Sequence, residues 1–234
     1  MLTSDKERAK MAEVYPAQTS RMLAAGLGSV AELGSASTKL NEGSKTVHYK
    51  TQGRVPGYGT IVLRRYDENV DFDFYLELVR HPTVRRFLDP VHSSVVEEIN
   101  FLRRAADDPR TMIYTIMRER DSTPVGTVML TGIDEHHTRA KVSRLIIAPG
   151  EQGKGYGKEA LRVLSRFAFS SLRLRFLYCY IFLTNENGRL LFLDGGFEQY
   201  GRRPAWSFDG TDYVDELEMS LTAERYDKIY SEST

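Results

Sequence analysis

The stretch Leu145-Ile-Ile-Ala-Pro-Gly-Glu-Gln-Gly-Lys-Gly-Tyr-Gly-Lys-Glu-Ala160 decides how this chain is read. An apolar run ends at Pro149, glycines stand at 153, 155 and 157, and Leu161, Leu164, Phe167 and Ala168 then recur at helical spacing. The order is strand, glycine loop, helix. A helix entrance leaves its first backbone N–H groups without partners, and the aligned peptide dipoles place partial positive charge there. Glycines let the loop backbone come close and adopt positive φ. Together these make a seat for a phosphate or pyrophosphate, to which Lys154 and Lys158 add charge. A dinucleotide fingerprint would space its glycines as G-x-G-x-x-G within a βαβ unit. A P-loop would follow Gly-Lys with Ser or Thr, whereas Glu159 follows Gly157-Lys158. A plain tight turn before a helix would use the same glycines.

Outward from this stretch the pattern is regular from Thr60 onward. Thr60–Arg64 reads as a strand; Phe72, Tyr75, Leu76 and Val79 mark an amphipathic helix that Pro82 stops. Ser94-Val-Val-Glu97 has capping-box spacing and opens a helix through Ile99, Leu102 and Ala106. Strands follow over Thr111–Arg118, Val125–Ile133 and Arg139–Ile147, the last two joined at the tip Asp134-Glu-His-His137. Beyond the glycine loop come a buried strand, Phe176–Leu183, a short helix over Gly188–Asp194, and an alternating strand, Val214–Leu221. The fold class expected is α/β, mixed α+β, with an antiparallel meander in its middle. Residues 1–58 are rich in small residues and are expected to be a partly helical N-terminal extension, with one helix over Ser4–Leu23 and a turn-rich linker over Arg54–Gly59. Residues 59–223 form the main domain and 224–234 a tail.

The charge balance, 32 basic against 32 acidic residues, offers no global attraction to nucleic acid or to a membrane surface. An anionic ligand must be held locally. The single cysteine, Cys179, lies in an apolar run and reads as a small packed hydrophobe; no metal site is expected. The charged start has no apolar h-region, and no apolar run approaches the roughly 20 residues of a membrane span, so a cytoplasmic location is expected.

The residues now on the page resemble the GNAT N-acetyltransferase superfamily. Gln152-Gly-Lys-Gly-Tyr-Gly157 matches its (Gln/Arg)-x-x-Gly-x-(Gly/Ala) signature, and Arg144–Pro149 resembles the strand before it. Asn185, three residues before Gly188, and Gly196-Phe197 resemble its later Asn-x-x-Ala/Ser and Gly-Phe segment. The likeness covers about Thr60 to Leu221 and is closest in style to the branch of ribosomal-protein alanine and spermidine acetyltransferases. It implies a mostly antiparallel sheet with helices on both faces, whose fourth and fifth strands, here Arg139–Ile147 and Phe176–Leu183, splay around the pantetheine arm of acetyl-CoA. It further implies acetyl transfer from acetyl-CoA to a primary amine of a small molecule or a protein N-terminus, with no metal. A non-catalytic acyl-CoA sensor or interaction module is the competing reading, and homodimerisation stays open. By carry-over, the backbone of Leu145, Ile146 and Ile147 would pair with the pantetheine. Gln152, Gly153, Lys154, Gly155, Tyr156, Gly157 and Lys158 would hold the pyrophosphate, and Asn185, Gly188 and Phe192 would lie along the far side of the arm.

The chain departs from the family at both acid–base positions. Ser143 stands where many members carry a glutamate, and Leu191-Phe192 replaces a Leu-Tyr pair. Catalysis is then expected to rest mainly on positioning and backbone polarisation. The replacement bases on paper are Ser143, Asp134, Glu135, His136 and His137; the replacement acids are Tyr178, Tyr180 and Tyr200. Arg202-Arg-Pro-Ala-Trp-Ser-Phe208 is expected to be a loop joining the last two strands, either plain surface or, as the resemblance implies, lining the acceptor pocket, where its arginines would favour a carboxylate or phosphate.

Overall fold

A computed structural model of the chain describes residues 54–55, 60–88 and 94–231. All of them belong to the unit His48–Thr234. The expected helix over Ser4–Leu23 and nearly all of the extension lie outside the described residues. Among the described residues eight strands form one sheet: β1 (Arg54–Val55), β2 (Ile61–Arg65), β3 (Met112–Arg118), β4 (Thr123–Asp134), β5 (Arg139–Ile147), β6 (Phe176–Phe182), β7 (Glu198–Phe208) and β8 (Tyr213–Thr222). They lie in the order β1-β2-β3-β4-β5-β6-β8-β7. Every pairing is antiparallel except β5 with β6. The helices are α1 (Glu68–Arg80), α2 (Pro82–Arg85), α3 (Val95–Asp107), α4 (Tyr156–Arg166), α5 (Glu186–Asp194) and α6 (Ala223–Ser231).

The strand alternation builds two buried layers. Ile61, Leu63, Tyr114, Val128 and Leu130 point to one face, where Leu161, Leu164 and Phe167 at the end of α4 and Tyr226 of α6 complete a single core cluster. Residues of the opposite parity, Val62, Ile113 and Met129, are buried as well, along with Tyr75 of α1 and Ile99 and Leu102 of α3. Both faces of the β2–β4 half are therefore covered, as a sheet carrying helices on either side requires. Among the described residues no helix is long and apolar enough to cross a membrane.

Local chemistry fixes the helix ends. Asp67 caps α1 by accepting from the Asn69 N–H at 2.9 Å. Ser94 opens α3 with a reciprocal box: its Oγ accepts from the Glu97 N–H at 3.2 Å, and the Glu97 carboxylate accepts from the Ser94 N–H at 2.8 Å. Pro82 does more than end α1, since it starts α2, where a missing N–H costs nothing.

Three segments differ from expectation. Arg54–Val55, expected as part of a linker, pairs with Arg64 and Leu63, because the outer edge of β2 offers unpaired backbone groups to any extended neighbour. Arg202–Phe208, expected as a loop, belongs to β7, and the turn to β8 comes only after Phe208. The expected tail is the helix α6; Tyr226 stacks on Phe169 at 5.4 Å and on Tyr230 at 4.7 Å between ring centroids.

The box at Ser94 sets where α3 begins and hence where its buried face lies. Ser94→Ala should lower the unfolding free energy by about 1 kcal/mol, read from urea denaturation.

Candidate functional site

β5 and β6 share only three residue pairs: Arg139 with Phe176, Ala140 with Leu177 and Lys141 with Tyr178. Beyond them the strands part. Val142–Ile147 on one side and Cys179–Phe182 on the other line one cavity of about 710 Å³, a size suited to a small-molecule ligand. A bulge accompanies the parting. Along β4 the partners run from Met129–Ser143 to Thr127–Ile146, so β5 carries one extra residue there. Arg144, within it, has φ +49°.

At its other end the cavity meets the glycine loop. Gly155 is the N-cap of α4 with φ +82°, and no side chain caps the amides behind it. Glu159, the acid of that first turn, is drawn off to the Thr60 N–H at 3.1 Å and to the Thr60 hydroxyl. Among the described residues, no side chain caps the entrance of α4. The three glycines do different work. Gly153 and Gly155 supply positive φ, and a Cβ on either would meet nothing within 4 Å. Gly157 serves packing, because a Cβ there would lie 3.2 Å from Leu191 Cδ1 of α5.

Side chains tie the loop to its surroundings. Gln152 Nε2 donates to the Ile147 carbonyl at 3.0 Å, joining loop to strand end. Glu151 takes Lys154 Nζ at 2.9 Å and Arg118 Nη1 at 3.2 Å. The Lys154 hydrogen bond, followed by the two nearby cations, holds the Glu151 carboxyl below its ordinary range. Lys154 is thereby committed to Glu151 and does not line the cavity, whereas Lys158, 4.0 Å from Asp194, does. Asn185 caps α5, its Oδ1 accepting from the Gly188 N–H at 3.0 Å. A Cβ at Gly188 would fall 2.7 Å from the Asn185 amide, so glycine there makes room for the cap. Asn185, Gly188 and Phe192 all line the cavity, Phe192 with its ring edge-on to Phe197 at 5.0 Å.

The acid–base candidates divide. Ser143 faces the cavity, its Oγ 3.3 Å from Thr131 Oγ1. Asp134, Glu135, His136 and His137 sit at the β4–β5 turn, beyond the paired end of β5, and none lines the cavity. Asp134 there binds His137 Nδ1 at 2.8 Å. Tyr200 is half exposed against Phe176 and, like Tyr178, lies outside the lining; burial pushes both hydroxyls up. Tyr180 does line the cavity, with the Arg203 guanidinium 3.7 Å over its ring. The charges of Arg202 and Arg203 are matched by Asp215 and Glu218, so they do not stand ready for an acidic acceptor, and Trp206 is exposed on β7. Cys179 is packed as expected, and burial pushes its thiol up.

Sequence reasoning did not find the end of the cavity formed by Thr83–Leu88, nor the buried pair between Arg144 and Glu98 at 3.1 Å. A signal for Glu98 was present: it shares the i, i+4, i+7 stripe of α3 with Leu102 and Ala105, where a solvated carboxylate would not be placed.

The acetyltransferase (GNAT) domain model matches residues 60–198. The chain belongs to the GNAT acetyltransferase family. Spermidine N(1)-acetyltransferase of Vibrio cholerae serotype O1 is 25% identical to this GNAT chain over 111 residues, which are 47% of this chain and 64% of that enzyme. The chain thus spans just under two thirds of the length of that curated relative. The crystal structure of spermidine N-acetyltransferase from Vibrio cholerae in complex with CoA and spermine superposes with a TM-score of 0.63 at 22% identity, covering 71% of this chain and 97% of that one. A single-site mutant of that enzyme gives a TM-score of 0.62 at 21% identity, over 74% and 98%. The shared fold includes the mixed sheet.

The two kinds of glycine in the GNAT loop should separate in stability. Gly157→Val, pressed against Leu191, should lose about 1–3 kcal/mol. Gly153→Ala should lose roughly 1 kcal/mol from its left-handed backbone alone. Urea unfolding of both variants measures the contrast.

Proposed function

We propose that this chain transfers the acetyl group of acetyl-CoA to a primary amine by direct attack of the amine on the thioester. The observation that carries the reading is the uncapped entrance of α4 behind Gly155, opening on a cavity whose walls are the parted edges of β5 and β6. The loop amides from Gly153 to Lys158 hold the pyrophosphate. The backbone of Leu145–Ile147 pairs with the amide-bearing arm as an added strand would. Asn185 and Phe192 border the far side of the arm. Family membership and the spermidine acetyltransferase relatives support the choice of an acetyl donor and an amine acceptor.

The chemistry asks for a neutral amine and for a stabilised oxyanion. Oriented backbone N–H groups at the edge of β5 serve the second need. For the first, Phe192 has no proton to give and Ser143 is a weak base. The amine therefore loses its proton to cavity water before attack. Below the acceptor's own pKa, near 10 for an alkyl amine, kcat/KM should rise about tenfold per pH unit. A plateau beginning near neutrality would instead reveal a base within the protein.

Incubation with acetyl-CoA and an amine panel headed by spermidine and spermine, with peptide N-termini included, should release free CoA thiol. Tight CoA binding with no turnover across the panel would leave a non-catalytic acyl-CoA binder. Gly155→Val places methyl groups in front of the helix amides and strains a left-handed φ; calorimetry should show CoA affinity falling by about 100-fold or more, the scale of losing several charge-assisted hydrogen bonds.

A further inference from the structure

The bulge in β5 is held by a buried ion pair that the transfer reaction leaves unassigned. Arg144 combines φ +49° with a guanidinium whose side chain is only 9% exposed. Such a backbone is uncommon for a residue bearing a Cβ. Its Nη1 lies 3.1 Å from Glu98 Oε1, a charge contact not aligned as a hydrogen bond, and the guanidinium carbon sits 4.5 Å from the centre of the Phe101 ring. The same Glu98 oxygen accepts from the Tyr75 hydroxyl at 2.6 Å. Across the bulge, Gly126 leaves room that no other residue would: a Cβ there would lie 2.3 Å from the Ile146 carbonyl oxygen.

Stability alone does not account for this arrangement. A buried ion pair loses in desolvation much of what it gains in attraction, and an apolar pair of equal volume often serves stability as well. What the pair does that an apolar one could not is fix direction. It fastens the one backbone position where β5 gains a residue to α3. The last β5–β6 pair is Lys141 with Tyr178; Val142–Ile147 line the cavity, and Leu145–Ile147 follow directly on the fastening at Arg144.

We infer that Glu98 and Arg144 are positioning residues that lock the β5 bulge, so that the Leu145–Ile147 backbone meets the thioester in one fixed orientation. The inference rests on the proposed acetyl transfer. In this role each acts through the backbone and not on the reacting atoms, even though Arg144 is among the residues lining the cavity. Gln152 ties the loop to Ile147, but the loop has anchors of its own, Glu151 to Arg118 and Lys154 and the first turn of α4 through Glu159 to Thr60, so binding largely persists when the clamp is cut.

Three variants test the clamp: Glu98→Gln, which keeps shape and removes charge; Arg144→Gly, which tolerates the positive φ without the guanidinium; and Arg144→Lys, which keeps charge. Glu98→Gln and Arg144→Gly should lower kcat by about tenfold to 100-fold, the effect of a misplacement on the order of 1 Å. The Kd for CoA should stay within about threefold, and Arg144→Lys should recover part of kcat. Amide hydrogen exchange at 145–147, measured with CoA bound, should speed up by about tenfold in Glu98→Gln as the segment opens locally. Exchange needs no acceptor. A wild-type chain that acetylates no amine would therefore sink the proposed transfer, while the clamp would still be judged by exchange. Unchanged exchange in Glu98→Gln overturns the inference, as does an unchanged kcat in an active enzyme. So does a loss of CoA affinity in step with kcat, which would mark the pair as merely structural.

Discussion

Two parallel strands that share three residue pairs and then separate leave backbone N–H and C=O groups facing each other across a gap. Buried main-chain polar groups need partners, so a sheet cannot open in this way unless something else occupies the opening. Among the described residues no strand, helix or side-chain ladder fills the gap between β5 and β6; the cavity lies there. The rest of the architecture follows from keeping that gap open without letting the sheet fall apart. β5 remains paired to β4 almost to its end, and β6 is paired to β8 along its whole length. Each half of the sheet therefore keeps its own ladder, and the parting concentrates where the two halves meet.

The devices that hold the gap are distributed over distant parts of the sequence. Leu191 of α5 rests against Gly157 of α4, so the two helices flanking the cavity fix each other's approach. Leu161 of α4 lies so close to Gly195 that a Cβ there would fall 2.3 Å from its Cδ2, which locks the end of α5 to the same helix. On the opposite face of the sheet, α3 holds the bulge through Glu98. Residues near 98, 126, 144, 157, 191 and 195 thus serve one geometric requirement, although no two of them look related in the chain.

What was legible in the sequence was whatever is fixed locally. β5 was read with its observed bounds, and the Ser94 box, the strand–loop–helix at Leu145–Ala160 and the alternation of β8 follow from spacing alone. Arg202–Phe208 was misread because Pro204 and the register shift between Arg203 and Ser207 break the period-two pattern of a strand. The helix at Ala223–Ser231 was missed because only Tyr226, Ile229 and Tyr230 carry its apolar face, over barely two turns. At the candidate site, the loop stands out in the sequence because glycine spacing states a backbone demand directly. The hairpin acids and histidines were considered only for their chemistry, and position along β5 removes them. Glu98 escaped because its meaning depends on a partner 46 positions away, at Arg144, that no local pattern announces.

The charge arrangement around the loop bears on how an anionic ligand is held. The chain carries no net charge. Lys154 is bound to Glu151, as is Arg118, and Lys158 stands within reach of Asp194. The cations nearest the glycine loop are thus largely balanced before any ligand arrives. The attraction left over is that of the backbone amides at the start of α4, whose direction is fixed by the helix and whose partial charges are not shared with a neighbouring carboxylate. An exposed lysine draws in any anion at long range and loses hold as salt rises. Oriented amides at a helix entrance act at contact distance and recognise the shape of a phosphate as well as its charge. Under the proposed acetyl transfer, an uncapped helix start flanked by paired cations would discriminate among anions, where a basic surface would only gather them.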